Sequence, residues 1–263
     1  MVHIGTVHYR DKCWIDVQLR YLDRHTHERY RVYASLDGID PRFLSRFDYA
    51  RDHTDLSSRE DAGSRIEQKL DQLTAEIVSQ GKPNDLLVIM HGDTLPITDW
   101  VGPLRRMLAE GSLAAIRREE IGEPIPHWSF IATTVGFWSE LGTDWSRGPA
   151  WSWNGEMISD TGARLWEVLE TRGVRWRELR RSNKRNQHAL FFGVYGDLVY
   201  HHGAGFRQQM SRYDSASYSR LPIPLRNIAG VRKRIANTYV SRRMFRRIRK
   251  DERFYRLLTG DPA

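Results

Sequence analysis

The sequence predicts an α/β fold: a mixed, mainly parallel sheet flanked by helices, with a helical extension at the C-terminus. Three observations predict it. Apolar runs of strand length alternate with segments of helical apolar spacing, in the order βαβαβ through about Leu113. The run Leu86-Leu87-Val88-Ile89-Met90 reads as a buried strand and ends abruptly in His91-Gly92-Asp93. From Arg226 onward the chain is dense in arginine and lysine around a helical apolar stripe.

The elements follow in order. His3 to His8 and Tyr30 to Leu36 are strand-like, and between them Trp14, Val17, Leu19, Tyr21 and Leu22 have helix-compatible spacing. Ile66, Leu70, Leu73 and Ile77 form an i, i+4, i+7 stripe that Gly81-Lys82-Pro83-Asn84 terminates. After the strand at Leu86 to Met90, Trp100 to Ala109 reads as a helix and Leu113 to Arg117 as a strand. Ser129 to Trp138, rich in Thr, Val and aromatics, is expected to be a strand. A Trp-, Gly- and Ser-rich loop from Asp144 to Ser159 leads to a helix from about Thr161 to Glu170. Ala189 to Val194 and Asp197 to His201 are expected to pair as a hairpin turning at Tyr195-Gly196. Leu221-Pro222-Ile223-Pro224 punctuates the end of that region. The expected organisation is a domain over 1–225, in two halves (1–115 and 116–225), then a basic helical tail over 226–263.

Composition bounds the class of function. Of 263 residues, 40% are hydrophobic and 28% charged, the balance of a soluble globular protein. No apolar run reaches the roughly 18 residues that span a membrane. The first residues lack the basic and long apolar regions of a signal peptide, so cytoplasmic residence is expected. One cysteine, Cys13, excludes internal disulfides and cysteine metal clusters. A net charge of +8 points to an anionic partner: a nucleotide, a nucleic acid or an acidic membrane surface.

Side chains that leave the carboxyl edge of an open α/β sheet converge on a crevice where ligands bind. A carboxylate at that edge, such as Asp93, calls for a cation. The stretch His91-Gly92-Asp93-Thr94-Leu95-Pro96-Ile97, following an apolar strand, resembles the D-x-D region of GT-A-fold glycosyltransferases, which use nucleotide-diphospho-sugar donors. The order around it fits over roughly residues 1 to 210. Thr6 lies in the opening strand, Leu36-Asp37-Gly38 ends the second, Ser159-Asp160-Thr161-Gly162 opens a later helix, and Tyr200-His201-His202-Gly203 closes a late strand. His91 stands where that family has its first aspartate.

The resemblance implies a glycosyltransferase that moves a sugar from such a donor to an acceptor hydroxyl or amine, the acceptor being carbohydrate, lipid-linked or a small molecule. It implies a Mn²⁺ or Mg²⁺ ion that stabilises the leaving diphosphate as a Lewis acid. Asp93 is its candidate direct ligand; His91 is a candidate donor contact, to the ribose or in support of the metal ligands, and as an imidazole suits Mn²⁺ better than Mg²⁺. His201 and His202 are the late candidate ligands. Adjacent strand residues point to opposite faces, so one of the two is expected at the site and the other in a structural role. Arg207 is the candidate to neutralise phosphate. Asp160 is the candidate base that takes the acceptor proton, with Glu156 in reserve; Asp160 also suits a helix cap without chemistry. Thr6, His8, Tyr9 and Asp37 are candidate donor contacts by position, with Tyr9 placed to stack on the base. Trp151 and Trp153 are candidate acceptor contacts, whereas Phe137 and Trp138 are assigned to the core.

The tail from Val231 to Leu258 carries Val231, Ile235, Tyr239, Met244 and Ile248 on one helical stripe among arginines and lysines. That stripe fits packing on the core, with the basic face toward water, a phosphorylated acceptor or an anionic membrane. The alternative function is nucleic-acid binding through this helix, but no helix-turn-helix, zinc-finger or RNA-binding motif accompanies it. A metal-dependent nuclease or phosphohydrolase built on the histidines is the third reading, and no H-x-x-x-H helix pair supports it.

Overall fold

The computed structural model describes residues 1–10, 12–52, 64–153, 156–186, 191–203 and 239–260. Its centre is a seven-stranded sheet. β1 (Val2–Tyr9) pairs in parallel with β2 (Tyr30–Asp37) and with β4 (Leu86–His91), and β2 pairs with a short edge strand β3 (Tyr49–Asp52). On the other side β7 (His127–Thr134) runs antiparallel to both β4 and β6 (Leu113–Ile116), and β10 (Arg177–Leu179) joins β6 in parallel. The order is β3-β2-β1-β4-β7-β6-β10, with β7 the one reversed strand. The sheet is thus mixed and mainly parallel.

Period-two alternation in β4 assigns its two faces. Leu86, Val88 and Met90 pack with Leu22 of α1 (Cys13–His25) and with Val101 and Leu104 of α3 (Val101–Glu110). Leu87 and Ile89 pack with Leu70, Leu73 and Ile77 of α2 (Ser64–Gln80), and with residues of α4 (Val135–Leu141) and α5 (Ala163–Thr171). Full burial of each such side chain contributes about 1.5–3 kcal/mol. A continuous apolar strand with helices on both faces is the arrangement of a doubly wound sheet.

The expected strand from Ser129 to Trp138 is two elements. β7 stops at Thr134, whose hydroxyl accepts the Phe137 N–H at 3.1 Å and caps α4. Gly136 lies against Pro83, where a β-carbon would come within 3.1 Å of the Pro83 Cβ and carbonyl oxygen. Trp138 is buried, and Phe137 packs partly buried against the same cluster.

After β4 the chain turns at Gly92-Asp93 into β5 (Thr94–Pro96). This strand joins the hairpin of β11 (Gly193–Tyr195) and β12 (Val199–His201) in a small antiparallel sheet. The expected hairpin turn at Tyr195-Gly196 is present, closed by the Leu198 N–H on the Tyr195 carbonyl. A separate pair, β8 (Trp151–Trp153) and β9 (Glu156–Ile158), precedes α5.

Two C-terminal helices, α6 over residues 239–250 and α7 (Arg256–Thr259), close the described chain. Met244, Ile248, Phe254 and Leu258 are buried with Trp14, Tyr21, Phe192 and Tyr200. Arg20 donates to the Ile248 and Arg249 carbonyls at 3.0 Å each, and the Tyr21 hydroxyl also donates to the Ile248 carbonyl. These bonds satisfy carbonyls that a helix C-terminus leaves open. Tyr239, expected on the packed stripe, is instead 64% exposed. Val231 and Ile235 lie outside the described residues.

At the sheet's opposite edge Asp85 gathers three donors. Its carboxylate accepts from the Met1 ammonium at 3.0 Å, the Lys82 N–H at 2.9 Å and His3 Nε2 at 3.3 Å. Burial raises its pKa, but these donors outweigh burial and bring it from 3.8 down to about 2. A depressed folded-state pKa gives stability that is complete above 3.8 and lost as pH falls through about 2. The shift corresponds to about 2 kcal/mol. Asp85→Asn should therefore lower unfolding free energy by about that amount at neutral pH in urea titrations, and the gap to wild type should close in acid. A gap that persists at pH 2 would assign the loss to packing instead.

Candidate active site

The site forms where β4 ends and turns into β5. Gly92 is required there by close approach: a β-carbon would fall 2.4 Å from His8 Nδ1 and 2.8 Å from the Val7 carbonyl oxygen. The Gly92 N–H bonds that same Val7 oxygen at 3.1 Å, and the Asp93 carbonyl accepts the His202 N–H at 3.1 Å. The tip is further fixed by Gln18, a fully buried residue of α1. Its Nε2 donates to the carbonyls of His91 (2.7 Å) and Thr94 (2.9 Å). Carbonyls only accept, so the orientation of the amide is determined. Its Oε1 therefore accepts from the Thr6 hydroxyl (3.0 Å) and from His8 Nε2–H (3.1 Å). Burial holds the His8 pKa down to about 4, leaving the ring neutral at physiological pH.

Asp93 emerges from this tip almost wholly buried. Its Oδ1 lies 3.7 Å from His91 Nδ1 and 3.6 Å from His201 Nε2. Those separations exceed a hydrogen bond. They suit ligands that share one cation, each about 2.0–2.2 Å from it. Burial, followed by the nearby His91, Arg118, His127 and His202, holds the His201 pKa well below its ordinary value. Its imidazole is thus neutral and able to donate a lone pair, and its Nε2 has no hydrogen-bond partner among the described residues. Register delivers this histidine, because His201 pairs with Thr94 across β12 and β5.

A second group adjoins the first. Ligand atoms of Glu123, His127 and Asp160 lie within 4.8 Å of one another, and the His127 ring centroid is 5.7 Å from that of His91 and 6.0 Å from that of His201. His127 Nδ1 accepts the Ser129 N–H at 3.1 Å. The same nitrogen lies 2.6 Å from the Ser129 hydroxyl, and Nε2 faces Glu123 at 3.8 Å. Both groups thus bring together side chains able to hold a cation. Arg118, also buried, bonds Glu120 at 3.1 Å, and Tyr195 donates to the same carboxylate at 2.6 Å. Burial works against the Arg118 charge, but Tyr195, Glu120 and Glu123 more than offset it.

The sequence-predicted residues divide sharply. His91, Asp93 and His201 come together, and Asp160 lies in the adjoining group. His202 points away: its nitrogens bond the Tyr200 hydroxyl (2.9 Å) and Ser241 Oγ (2.7 Å), and its ring packs against Trp14 and Phe192. Thr6 and His8 face Gln18 within the protein. Asp37 is paired with the buried Lys69 of α2, and the Arg10 guanidinium covers the Tyr9 ring at 4.8 Å. Asp160 does not cap α5; Gly162 occupies that position with φ +84°, and Asp160 Oδ1 takes the Thr161 N–H at 2.8 Å. Trp151 is buried with Ile125, Ile158 and Ala163. Trp153 and Glu156 face each other in the register of the β8–β9 hairpin, but their side chains lie outside the described residues, as does Arg207.

Sequence reading passed over Gln18, Arg118, Glu123 and His127. Gln18 had a signal, since it stands four residues from both Trp14 and Leu22 on the stripe that α1 buries.

No known family profile matches the sequence, and no curated relative does. Among solved structures, similarity extends to the mannosyltransferase PcManGT from Pyrobaculum calidifontis in complex with GDP-Man and Mn²⁺ (13% identity, 72% of this chain and 59% of that one, TM-score 0.42). TarS of S. aureus is 9% identical over 56% of this chain and 50% of its own, with a TM-score of 0.39. The glycosyltransferase GlyE of Streptococcus pneumoniae TIGR4 is 13% identical over 53% and 35%, with a TM-score of 0.36. The chain spans between about a third and three fifths of the length of these solved proteins.

The packing at the tip is testable with one methyl group. Gly92→Ala should push β1 and the tip apart and lower stability by about 1–3 kcal/mol, the usual cost of overpacking. Thermal melts give the first readout; an unchanged melting temperature would show that the tip has room the geometry denies.

Proposed function

We propose that this protein is a glycosyltransferase that moves a sugar from a nucleotide-diphospho-sugar to an acceptor hydroxyl or amine, assisted by a divalent cation. The observation that carries the reading is the buried Asp93 carboxylate held 3.6–3.7 Å from two imidazoles at the carboxyl edge of a doubly wound sheet. The donor class follows from the D-x-D-like character of His91-Gly92-Asp93.

His91, Asp93 and His201 fit a cation: one anionic oxygen and two ring nitrogens lie within 4.8 Å of one another. Two imidazoles beside one carboxylate favour Mn²⁺ over Mg²⁺. When bound, the ion neutralises the charge that grows on the leaving diphosphate. The remaining chemistry belongs to the chain. Asp160, half-buried where Glu123 is fully enclosed, is the carboxylate of its cluster that reaches solvent. It accepts the proton of the attacking acceptor group. Gln18 keeps the cation-binding tip in register. The β8–β9 hairpin, beside Asp160 in the chain, borders the acceptor side.

The test is turnover and melting with a panel of GDP- and UDP-sugars, with Mn²⁺, with Mg²⁺ and with chelator. Wild type should release nucleoside diphosphate in a metal-dependent manner and be stabilised by its donor. A donor at 100 times its dissociation constant adds about 2.7 kcal/mol. Asp93→Asn should reduce kcat/KM about 100-fold or more, equivalent to about 2.7 kcal/mol of transition-state stabilisation. Asp160→Asn should keep donor stabilisation and lose transfer by about 100-fold or more. Stabilisation by no sugar nucleotide, or full turnover in Asp93→Asn, would overturn the reading.

A further inference from the structure

The outward face of α6 is made of cations. Ser241, Met244 and Ile248 are buried at spacings of three and four residues. Past Tyr239, every fully exposed residue of the helix is basic: Arg242, Arg243, Arg246, Arg247, Arg249 and Lys250. Several arginines elsewhere pair with acids, as in the Arg46–Asp16, Arg105–Glu28 and Arg147–Glu67 pairs. None of these six side chains forms an ion pair with an acidic group among the described residues. Like charges one turn apart repel and weaken the helix that carries them. Anions supplied from outside relieve that cost.

A cleft of about 210 Å³ opens beside the same helix, lined by Tyr239, Val240, Arg243, Met244, Arg247 and Leu257. Arg243 and Arg247, one turn apart, offer two planar donor forks matched to phosphate oxygens. Tyr239 adds an amphipathic ring of the kind that sits at headgroup level on a bilayer. Single-stranded nucleic acid, by contrast, is held on a row of exposed aromatic platforms. Tyr239 is the single large aromatic that stands exposed among the described residues.

We propose that α6 docks on the anionic headgroup layer of a membrane, with Arg243 and Arg247 taking a lipid phosphate in the cleft. The proposal is independent of the donor-site reading, since it concerns binding through a surface helix. Each cation at such a surface is worth about a fivefold change in partitioning, so Arg243→Ser/Arg247→Ser should weaken binding about 25-fold.

Co-sedimentation of the full chain with vesicles of phosphatidylcholine alone, or with added phosphatidylglycerol, tests this. Binding to the mixed vesicles alone, lost at high salt and in Arg243→Ser/Arg247→Ser, is the expected result. Arg42→Ser/Arg46→Ser removes the same charge from another exposed surface and should still sediment; equal loss there would make the effect one of net charge and overturn the site. Melting curves of both variants establish that they are folded, and Arg242→Ser/Arg246→Ser repeats the test on the same helix. Binding that ignores vesicle charge overturns the proposal. So does stabilisation by inorganic phosphate without vesicle binding, which would identify a free-phosphate site, or binding of single-stranded RNA without vesicle binding.

Discussion

The Gln18 carboxamide joins three segments of the chain: the end of β1 through Thr6 and His8, helix α1 that carries it, and the sequence-distant β4–β5 tip through the carbonyls of His91 and Thr94. Three of these bonds are buried and the fourth, to the His91 carbonyl, is partly buried, so their exchange for solvent bonds carries a cost. A buried polar group left without its partner costs about 1–3 kcal/mol. The tip is short and has no helical or sheet pairing of its own until Thr94. Its geometry is inherited from the amide, from the Gly92–Val7 bond and from the Asp93–His202 bond. Asp93 can hold a fixed direction toward His91 and His201 because its backbone is pinned from both sides.

The reversed strand completes the arrangement. Parallel strands bring only their carboxyl ends to the crevice, and β1, β2 and β4 do so. β7 runs the other way, so its first residues arrive at that same edge. His127 and Trp128 therefore meet His91, whose ring centroid lies 3.6 Å from that of Trp128. The loop before β7 brings Glu123 and Arg118 with it. One change of strand direction thus supplies half the ionisable groups of the site.

This also explains what could be read from sequence. Apolar periodicity identified β1, α1, β2, α2, β4 and α3 because each buries a regular face. Asp93 and His201 were legible as polar residues at the ends of apolar runs. His202 was not separable from His201 by type, and alternation along β12 is what turns one toward Asp93 and the other toward Trp14. Thr6 and His8 had the right position for donor contacts, but position along a strand does not reveal that the amide of Gln18, on the next helix, will bond them. Short strands such as β3, β5 and β10 were invisible because three or four residues carry too little alternation to stand out. His127 fell two residues outside the expected strand, and its importance depends on a strand direction that periodicity cannot supply.

The charge balance argues for the cation more strongly than any single ligand. The chain as a whole carries +8, yet the region of the site gathers Asp93, Glu120, Glu123 and Asp160, with Arg118 beside Glu120 and Arg181 close to Tyr195 and Tyr200. Arg118 is engaged by Glu120, so its charge is largely committed within the protein. The imidazoles of His8 and His201 are neutral at physiological pH, held so by burial. A diphosphate entering this crevice would meet these carboxylates at close range, where the low dielectric of the interior makes repulsion costly. The surplus arginines of α6 face outward and do nothing for that balance. Under the proposed function, a divalent ion between Asp93, His91 and His201 would add positive charge where a sugar diphosphate binds.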